Sequence, residues 1–416
     1  MRRLKIYLQI CGKDLPCGEI RGMSFEDACF IYDASYLERK EAAPISLSLP
    51  LQKDPFDRER TAAFFSGLLP SGSFRRAIAG LLRCREEDYM SMLSILASDC
   101  RGGLKALEEE FPLPESCLED FDERDLERLA GGREKDTASL LIRSSSALPG
   151  HAPVLSLSRH KEGWKLPCGD MTGNFLIYPS WPLQESGLLN AALCMSAASK
   201  LGIRTQRAHL TGRGGEDRIL LAVERSDREE DREGRIVRRH QEDMAQAMGI
   251  LPGRAAERDY EGYMASMFRI LRERACRPVP DMLSLWDRII FNFLIGNSEG
   301  DIRSFALNYG PDLAAVSLAP ASYISCSAMY DPLSWKLPFH IDGLYSPDSL
   351  TGRSFENMAP ECGLGKKMGR KRFDFLAAGL EKALFESAAE LKDRGFEDAP
   401  LLAGQILDTG GIRNLR

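Results

Sequence analysis

Hydrophobic residues alternate with polar ones at the start of the chain and then change to helical spacing. Leu4, Ile6, Leu8 and Ile10 recur at every second position, which predicts a strand with one buried face. The segment 58–84 predicts two helices that separate at Pro70-Ser71-Gly72, because proline and glycine together end a helix. We therefore expect a leading α+β region that extends to about residue 105.

The pattern changes twice in the following part of the chain. Residues 107–138 are acidic and carry few core-sized side chains, which predicts a charged connector that is partly helical and exposed. Alternating segments at 154–167, 173–179 and 218–228 predict strands, and 186–200 predicts a helix closed by Gly202. The remainder is mainly helical in pattern. Three strands, a helix and a further strand are the element order of the small lobe of a protein kinase.

Composition excludes several classes of protein. A formal net charge of −6 argues against broad, nonspecific binding of nucleic acid as the main activity. The longest apolar stretch is interrupted by Asp287 and Arg288, so we predict no membrane span, and we see no secretory signal. The eleven cysteines are scattered without a C-x-x-C pair, which is typical of reduced thiols. These features predict a cytoplasmic protein without a disulfide framework or metal site.

A polar loop follows the apolar stretch LSLWDRIIFNFLIGN (283–297) and offers the strongest candidate chemistry. The loop carries Glu299, Asp301 and Arg303 within five positions, and a new apolar segment begins at Phe305. Loops between rigid elements often hold catalytic groups. The residues alone leave open whether this loop is a working catalytic loop or the remnant of one.

Several phrases of the sequence, in the same order, resemble a known family. They are PISLSLPLQ, FFSGLLPSGSFRR, ASDCRGGL, LAVERSDR (221–228), HQEDMAQAMGI (240–250) and LSLWDRIIFNFLIGN. Together they resemble the HipA family, the serine/threonine-kinase toxins of bacterial toxin–antitoxin modules, over nearly the full chain. The resemblance implies an α+β, protein-kinase-like two-lobed fold. Its implied domains are a HipA-like N-terminal α+β domain (1–105), the acidic connector (106–138), a kinase-like small lobe (139–228) and a helical C-terminal lobe (229–416).

The resemblance also implies where an ATP site would lie, and most of its positions are substituted. Tyr178 stands where the family has a lysine, and Ala191 stands where the family has the glutamate that pairs with that lysine. In the phosphate-covering loop Gly150 is retained and is followed by His151. The hinge phrase keeps Glu224 and Asp227, with Ser226 where a phenylalanine is usual. A phenol carries no positive charge, so Tyr178 cannot neutralise phosphate oxygens as a lysine does.

The catalytic loop departs from the family as well. Glu299 and Asp301 occupy the family's aspartate and histidine positions, and Ser304 occupies the position of its metal-binding asparagine. Tyr323, in LAPASYISCS, stands where the family has its metal-binding aspartate. Magnesium favours carboxylate oxygen, for which a phenol is a poor substitute. We therefore interpret the loop as a remnant and predict neither a metal site nor a bound cofactor.

Three functions remain as hypotheses. The first is a HipA-like pseudokinase that acts through protein contacts, with a HipB-like helix-turn-helix antitoxin as partner and DNA reached only through that partner. The second is an atypical active serine/threonine kinase toxin that uses ATP and Mg²⁺, with Glu299 as base, Asp301 or Asp227 as metal ligand, and Arg303 or Arg225 in place of the lysine. The third is a nucleotide sensor without phosphoryl transfer. We also expect the leading domain to pack on the kinase-like body, because its phrases are rich in apolar residues.

Overall fold

The computed structural model describes residues 1–108, 115–180, 186–212, 219–255, 262–330 and 335–415. The chain divides into two compact units. The first unit consists of 1–181, 224–254 and 306–316, and the second consists of 182–223, 255–305 and 317–416. Each unit is thus assembled from segments that are far apart in the sequence.

The first unit begins with an antiparallel sheet of strand order β3-β2-β1-β5. Leu4, Ile6 and Leu8 are fully buried, so the alternation predicted for the first strand is confirmed. The strands of this unit before residue 110 are β1 (Arg2–Ile10), β2 (Lys13–Gly22), β3 (Cys29–Tyr32), β4 (Asp99–Cys100) and β5 (Leu104–Glu108).

Short helices pack around this sheet, and the predicted break between two of them is confirmed. Helix α2 ends at Ser66 and α3 begins at Gly72, with Ser71 as its N-cap residue. Asp57 caps α2 by accepting a hydrogen bond from the backbone N–H of Arg60. The helices of the first unit before residue 150 are α1 (Ala34–Leu37), α2 (Arg58–Ser66), α3 (Gly72–Leu82), α4 (Tyr89–Leu96), α5 (Glu123–Ala130) and α6 (Glu134–Arg143).

A second antiparallel run of strands in this unit has the order β6-β9-β8-β10. Its strand β6 and helix α5 lie inside the segment predicted as an acidic connector, of which 109–114 fall outside the described residues. The four domain boundaries taken from the resemblance stay a prediction. The strands concerned are β6 (Cys117–Phe121), β7 (Ser146–Ala147, parallel to β4), β8 (Leu155–His160), β9 (Gly163–Cys168) and β10 (Phe175–Tyr178).

Buried polar contacts join the leading region to residues 240–246 within the first unit. Ser46 Oγ donates to Glu242 Oε2 at 2.5 Å, and the Leu47 N–H donates to Glu242 Oε1 at 3.1 Å. His240 Nε2 lies 2.9 Å from the Ile45 carbonyl oxygen. The expectation that the leading domain packs on the body is therefore confirmed. The later elements of this unit are β13 (Arg228–Glu230), β14 (Ile236–Arg238), β15 (Gln241–Asp243), α8 (Met244–Met248) and β16 (Ala306–Tyr309), and α9 (Pro252–Ala255) ends beside its boundary.

The second unit is mainly helical, as the pattern predicted. Its helices are α7 (Gly187–Lys200), α10 (Tyr263–Arg274), α11 (Pro278–Ile295), α12 (Gly352–Met358), α13 (Lys366–Lys392) and α14 (Ala399–Thr409). The second unit also contains an antiparallel pair of strands, β11 (Ala208–Leu210) and β12 (Leu221–Glu224), and the short strand β17 (Val316–Leu318). One residue of β12 and one residue of β17 belong to the first unit.

Helix α11 forms the centre of the second unit. Trp286 is fully buried, and its ring contacts those of Phe268 and Phe355 edge to face. The two charges that interrupt the apolar pattern are paired or buried: Asp287 forms a salt bridge with Arg372, and Arg288 is buried. Among the described residues, no helix is long and apolar enough to cross a membrane.

Candidate functional site

The loop that follows α11 is held rigidly within the second unit. The helix ends at Ile295 and is capped by Gly296, whose φ of 79° and close approach to Ala328 both favour a residue without a side chain. Asn297 Nδ2 donates to Asn292 Oδ1 at 3.2 Å, and the Ser298 N–H donates to Ser327 Oγ at 2.8 Å. These contacts fix the backbone at the start of the loop.

The charged residues of this loop are arranged in two different ways. Glu299 is exposed, as is Ser304. Asp301 accepts a hydrogen bond from the Arg303 N–H at 2.8 Å, and its two carboxylate oxygens contact the guanidinium group of the same arginine. The carboxylate and the cation proposed for an atypical kinase are therefore paired with each other in this structure.

Arg288 joins this loop to the segment that carries Tyr323, a role that the sequence did not suggest. Its guanidinium donates to the Ser304 carbonyl at 2.9 Å and to the Ala319 carbonyl at 3.0 Å, and it lies over the ring of Phe305. Burial lowers the pKa of Arg288 to about 9, with a further contribution from Arg204. The signal in the sequence that points to this role is a cation inside an apolar helix.

The segment after Tyr323 is held by a second buried residue, Asn190 of helix α7. Asn190 Nδ2 donates to the Cys326 carbonyl at 3.1 Å, and the Cys326 N–H donates to Asn190 Oδ1 at 2.9 Å. Tyr323 itself is half-buried and has a φ of 42°, the left-handed conformation that is unfavourable for a residue with a side chain. The adjacent Ala191 is fully buried. Hydrogen bonds from Arg288 and Asn190 thus hold the backbone beside Ser304 and Tyr323, the two positions at which the resemblance implies metal ligands.

The other site positions lie in the first unit. Gly150 and His151 are exposed and lie against the start of α3, where the Ser71 N–H donates to the Gly150 carbonyl at 2.9 Å. Ser71 Oγ also lies 3.0 Å from His151 Nδ1. Tyr178 is the last residue of β10 and is half-buried, as is Glu224 at the end of β12.

The rest of the hinge phrase forms a buried cluster of four charges. Arg225, Asp227 and Arg228 meet Asp99 from the phrase ASDCRGGL, and each of these four side chains is at most 5% exposed. Arg225 bridges Asp99 at 3.0 Å and Asp227 at 2.9 Å, and Arg228 bridges the same two carboxylates at 2.6 and 2.8 Å. The two positive and two negative charges thus balance one another in the interior of the first unit.

Hydrogen bonds complete this four-charge cluster. The Gly102 N–H donates to Asp227 at 2.8 Å, and the Cys100 carbonyl accepts from both guanidinium groups. Burial alone would raise the pKa of Asp99, but Arg225 and Arg228 outweigh it and lower that pKa to about 2. The cluster pairs the carboxylate of Asp227 and the guanidinium of Arg225, which are among the alternative metal and phosphate groups of an atypical kinase. Ser226, between them, accepts a hydrogen bond from Gln241 Nε2 at 3.1 Å.

Glu242 is a buried carboxyl group whose ionisation should couple stability to pH. Burial raises its pKa to about 7, although hydrogen bonds from Ser46, Tyr309 and the Leu47 N–H act in the opposite direction. A raised carboxyl pKa contributes stability that is present below the unfolded value of 4.5 and is lost as pH rises through about 7. His240 acts oppositely, because burial lowers its pKa to about 4, so its contribution is lost as pH falls below 6.5.

We expect Glu242→Gln to remove the loss of stability that the ionisation of Glu242 causes as pH rises. Relative to this variant, the unmodified protein should lose about 3 kcal/mol of unfolding free energy between about pH 4.5 and pH 7, at about 1.4 kcal/mol per pKa unit. Urea midpoints measured for both proteins across this range test the expectation, and the contribution of His240 cancels in the comparison. Glu361→Gln, at an exposed position, is the control. A constant difference between the unmodified protein and Glu242→Gln at every pH would contradict it.

The sequence matches two domain models of one family and resembles known proteins over most of its length. The HipA N-terminal domain model matches residues 8–107, and the HipA-like C-terminal domain model matches 161–384, which is more than half of the chain. The chain is 28% identical over 382 residues to the putative kinase Y4mE of Sinorhizobium fredii, covering 90% of each protein. It is 20% identical over 404 residues to the serine/threonine-protein kinase toxin HipA of Shewanella oneidensis, covering 94% of this chain and 91% of that protein.

A solved structure is similar over nearly the whole chain. This chain superposes on one chain of the complex of HipA, HipB and operator DNA from Shewanella oneidensis MR-1. The TM-score is 0.79 at 18% sequence identity, and the match covers 99% of this chain and 97% of that chain. The expected α+β, protein-kinase-like fold of HipA proteins is therefore confirmed. From the matching domain models, we conclude that this chain belongs to the HipA family.

Proposed function

We propose that this protein is a HipA-like pseudokinase that acts through protein contacts, within a toxin–antitoxin module or derived from one. One observation carries the proposal. The charged groups from which a phosphate or metal site could be rebuilt are paired with one another, Asp301 with Arg303 and Asp227 with Arg225 and Arg228. Using any of them for ATP would require breaking an existing ion pair.

The chemistry of phosphoryl transfer supports the same proposal. A kinase neutralises the triphosphate with a lysine and metal ions, and it holds those ions with carboxylate and amide oxygens. Tyr178, Ser304 and Tyr323 stand at the corresponding family positions, and none of them carries charge at neutral pH. In the second unit, Asn297 and Asn190 form hydrogen bonds that hold the backbone near Ser304 and Tyr323, and Gly296 approaches Ala328 closely. These contacts support an ordered scaffold at positions that offer no charged side chain for phosphate or metal.

The partner in this proposal is a HipB-like helix-turn-helix antitoxin, and DNA is reached only through that partner. The support is the similarity to HipA of Shewanella oneidensis, whose solved complex contains HipB and operator DNA. The formal net charge of −6 agrees with an indirect rather than a direct role in DNA binding.

The atypical kinase is the second candidate, and the exposure of Glu299 on a rigid loop favours it. A carboxylate at the base position is competent to orient a hydroxyl, but glutamate is one methylene longer than the family's aspartate. A displacement of about 1 Å in a reacting group can cost on the order of a hundredfold in rate. Under this candidate either Arg303 or Arg225 would have to leave its carboxylate partners and bind phosphate instead.

Binding of Mg²⁺-ATP distinguishes the two candidates. A ligand present at about 1,000 times its Kd stabilises the folded state by about 4.1 kcal/mol, which raises the melting temperature by several degrees. We expect the unmodified protein to melt at the same temperature with Mg²⁺-ATP as with Mg²⁺ alone. A saturable, Mg²⁺-dependent rise that disappears in Arg303→Met would count against the pseudokinase and favour the atypical kinase. A rise that needs no Mg²⁺ would instead support the nucleotide sensor.

A further inference from the structure

Two cysteines and a glutamate that are separated in the sequence meet on one face of the second sheet. Cys117, the first residue of β6, is the direct cross-strand partner of Cys168, the last residue of β9. Glu119 lies two residues after Cys117 and therefore on the same face of the strand. One sulfur or oxygen atom from each of the three lies within 4.8 Å of the other two, and Cys168 Sγ is 3.5 Å from Glu119 Oε1.

We propose that Cys117, Glu119 and Cys168 form a binding site for a divalent cation of the zinc class. Two sulfurs and a carboxylate oxygen are a ligand set that Zn²⁺ accepts, whereas Mg²⁺ and Ca²⁺ require oxygen ligands throughout. On binding, each thiol releases its proton to solvent and the ion takes two thiolates and one carboxylate. Cys117 is exposed, so water can complete the tetrahedral coordination.

The surroundings of the three residues orient the ligands before any ion arrives. The Arg143 guanidinium pairs with Glu119 Oε2, which directs the other carboxylate oxygen towards Cys168. The Asp170 N–H donates to Ser116 Oγ at 3.0 Å and joins the same ends of β6 and β9 beside the cysteines. Partners of this kind, which hold a ligand without touching the ion, typically tune metal affinity by about 10- to 100-fold. Arg143 is thus a positioning residue.

An ion bound by these three residues would link the edge strand β6 to its neighbour β9. β6 lies at one end of the strand order β6-β9-β8-β10, so among the described residues it pairs with a strand on one side only. Coordination by one ligand from β9 and two from β6 would resist separation of these strands. This site is independent of the ATP positions, so its test does not depend on whether the protein is a pseudokinase.

Titration of the reduced, metal-free, full-length chain with Zn²⁺ by calorimetry tests the proposal. We expect one ion per chain and a higher melting temperature in its presence. Cys117→Ser should weaken binding by at least about 100-fold, more than the usual effect of a partner outside the coordination shell. Cys276→Ser, which removes an exposed cysteine of the second unit, is the matched control and should bind as the unmodified chain does.

Cobalt substitution supplies a second readout that loss of folding cannot imitate. Co²⁺ bound through thiolates shows charge-transfer absorption that free Co²⁺ lacks, and this absorption should weaken in Cys117→Ser and shift in Glu119→Gln while both variants keep the unmodified circular dichroism spectrum. Binding at other than one ion per chain, or Zn²⁺ affinity unchanged in Cys117→Ser, would overturn the proposal. The proposal would also be overturned if the reduced chain did not bind Zn²⁺ and peroxide joined Cys117 and Cys168 in a disulfide.

Discussion

Replacing Asp99 by asparagine should lower the free energy of unfolding by about 3 to 5 kcal/mol, the usual cost of removing one partner from a buried ion pair. Asp99 and Asp227 together balance Arg225 and Arg228, and none of the four side chains reaches solvent. The neutral amide would leave two buried cations against one carboxylate. The midpoint and slope of urea unfolding measure the loss.

The control for this prediction is a charge pair of the same type at the surface. Asp231 pairs with Arg235 on an exposed turn, so Asp231→Asn should leave the unfolding midpoint unchanged. Asp227→Asn should destabilise the protein as Asp99→Asn does. If Asp227→Asn instead left stability intact but abolished a Mg²⁺-dependent signal, the carboxylate would be a metal ligand and not a member of a structural cluster.

Phosphoryl transfer should be absent from the unmodified protein and from Tyr178→Lys. Loss of a single electrostatic group typically lowers turnover by about 10² to 10³, and such losses are not additive when the groups act as a unit. Restoring the lysine alone leaves Ser304 and Tyr323 at the metal positions, so the ion that neutralises the transferred phosphate would still lack its ligands. Intact-mass measurement after incubation with Mg²⁺-ATP detects each phosphate added.

Two variants make this result decisive. The first variant restores the family residues at five positions in one chain: Tyr178→Lys, Ala191→Glu, Glu299→Asp, Ser304→Asn and Tyr323→Asp. Phosphate that appears only in this variant would support the proposal that the substitutions abolished kinase activity. Glu299→Gln removes the candidate base. Phosphorylation of the unmodified protein that disappears in Glu299→Gln would identify an active, atypical kinase.

Local pattern was sufficient to predict several of the helices and strands, and it is the basis of the predicted substitutions in the site. Alternation over Leu4, Ile6 and Leu8 predicted β1, and the phrase Pro70-Ser71-Gly72 predicted the break between α2 and α3, because burial and backbone restriction act over a few residues. The order of the motifs predicted the HipA fold. It also named Tyr178 and Tyr323 as replacements of charged residues, which depends on residue identity alone.

Long-range pairing was beyond the reach of that pattern. In the sequence, Asp227 reads as an available carboxylate in a hinge and Cys117 as one scattered thiol among eleven. The fold places Arg225 in contact with both Asp227 and Asp99. It also places Cys117 of β6 opposite Cys168 of β9, far away in the sequence.

The sequence by itself thus determined which elements form and to which family the chain belongs, and it predicts the residues that replace the kinase machinery. Only the tertiary structure decided which charges are already used and which thiols are neighbours. The physical reason is that hydrophobic periodicity records how deeply a residue is buried, whereas the identity of its partner depends on strand register and on how distant segments of the chain pack.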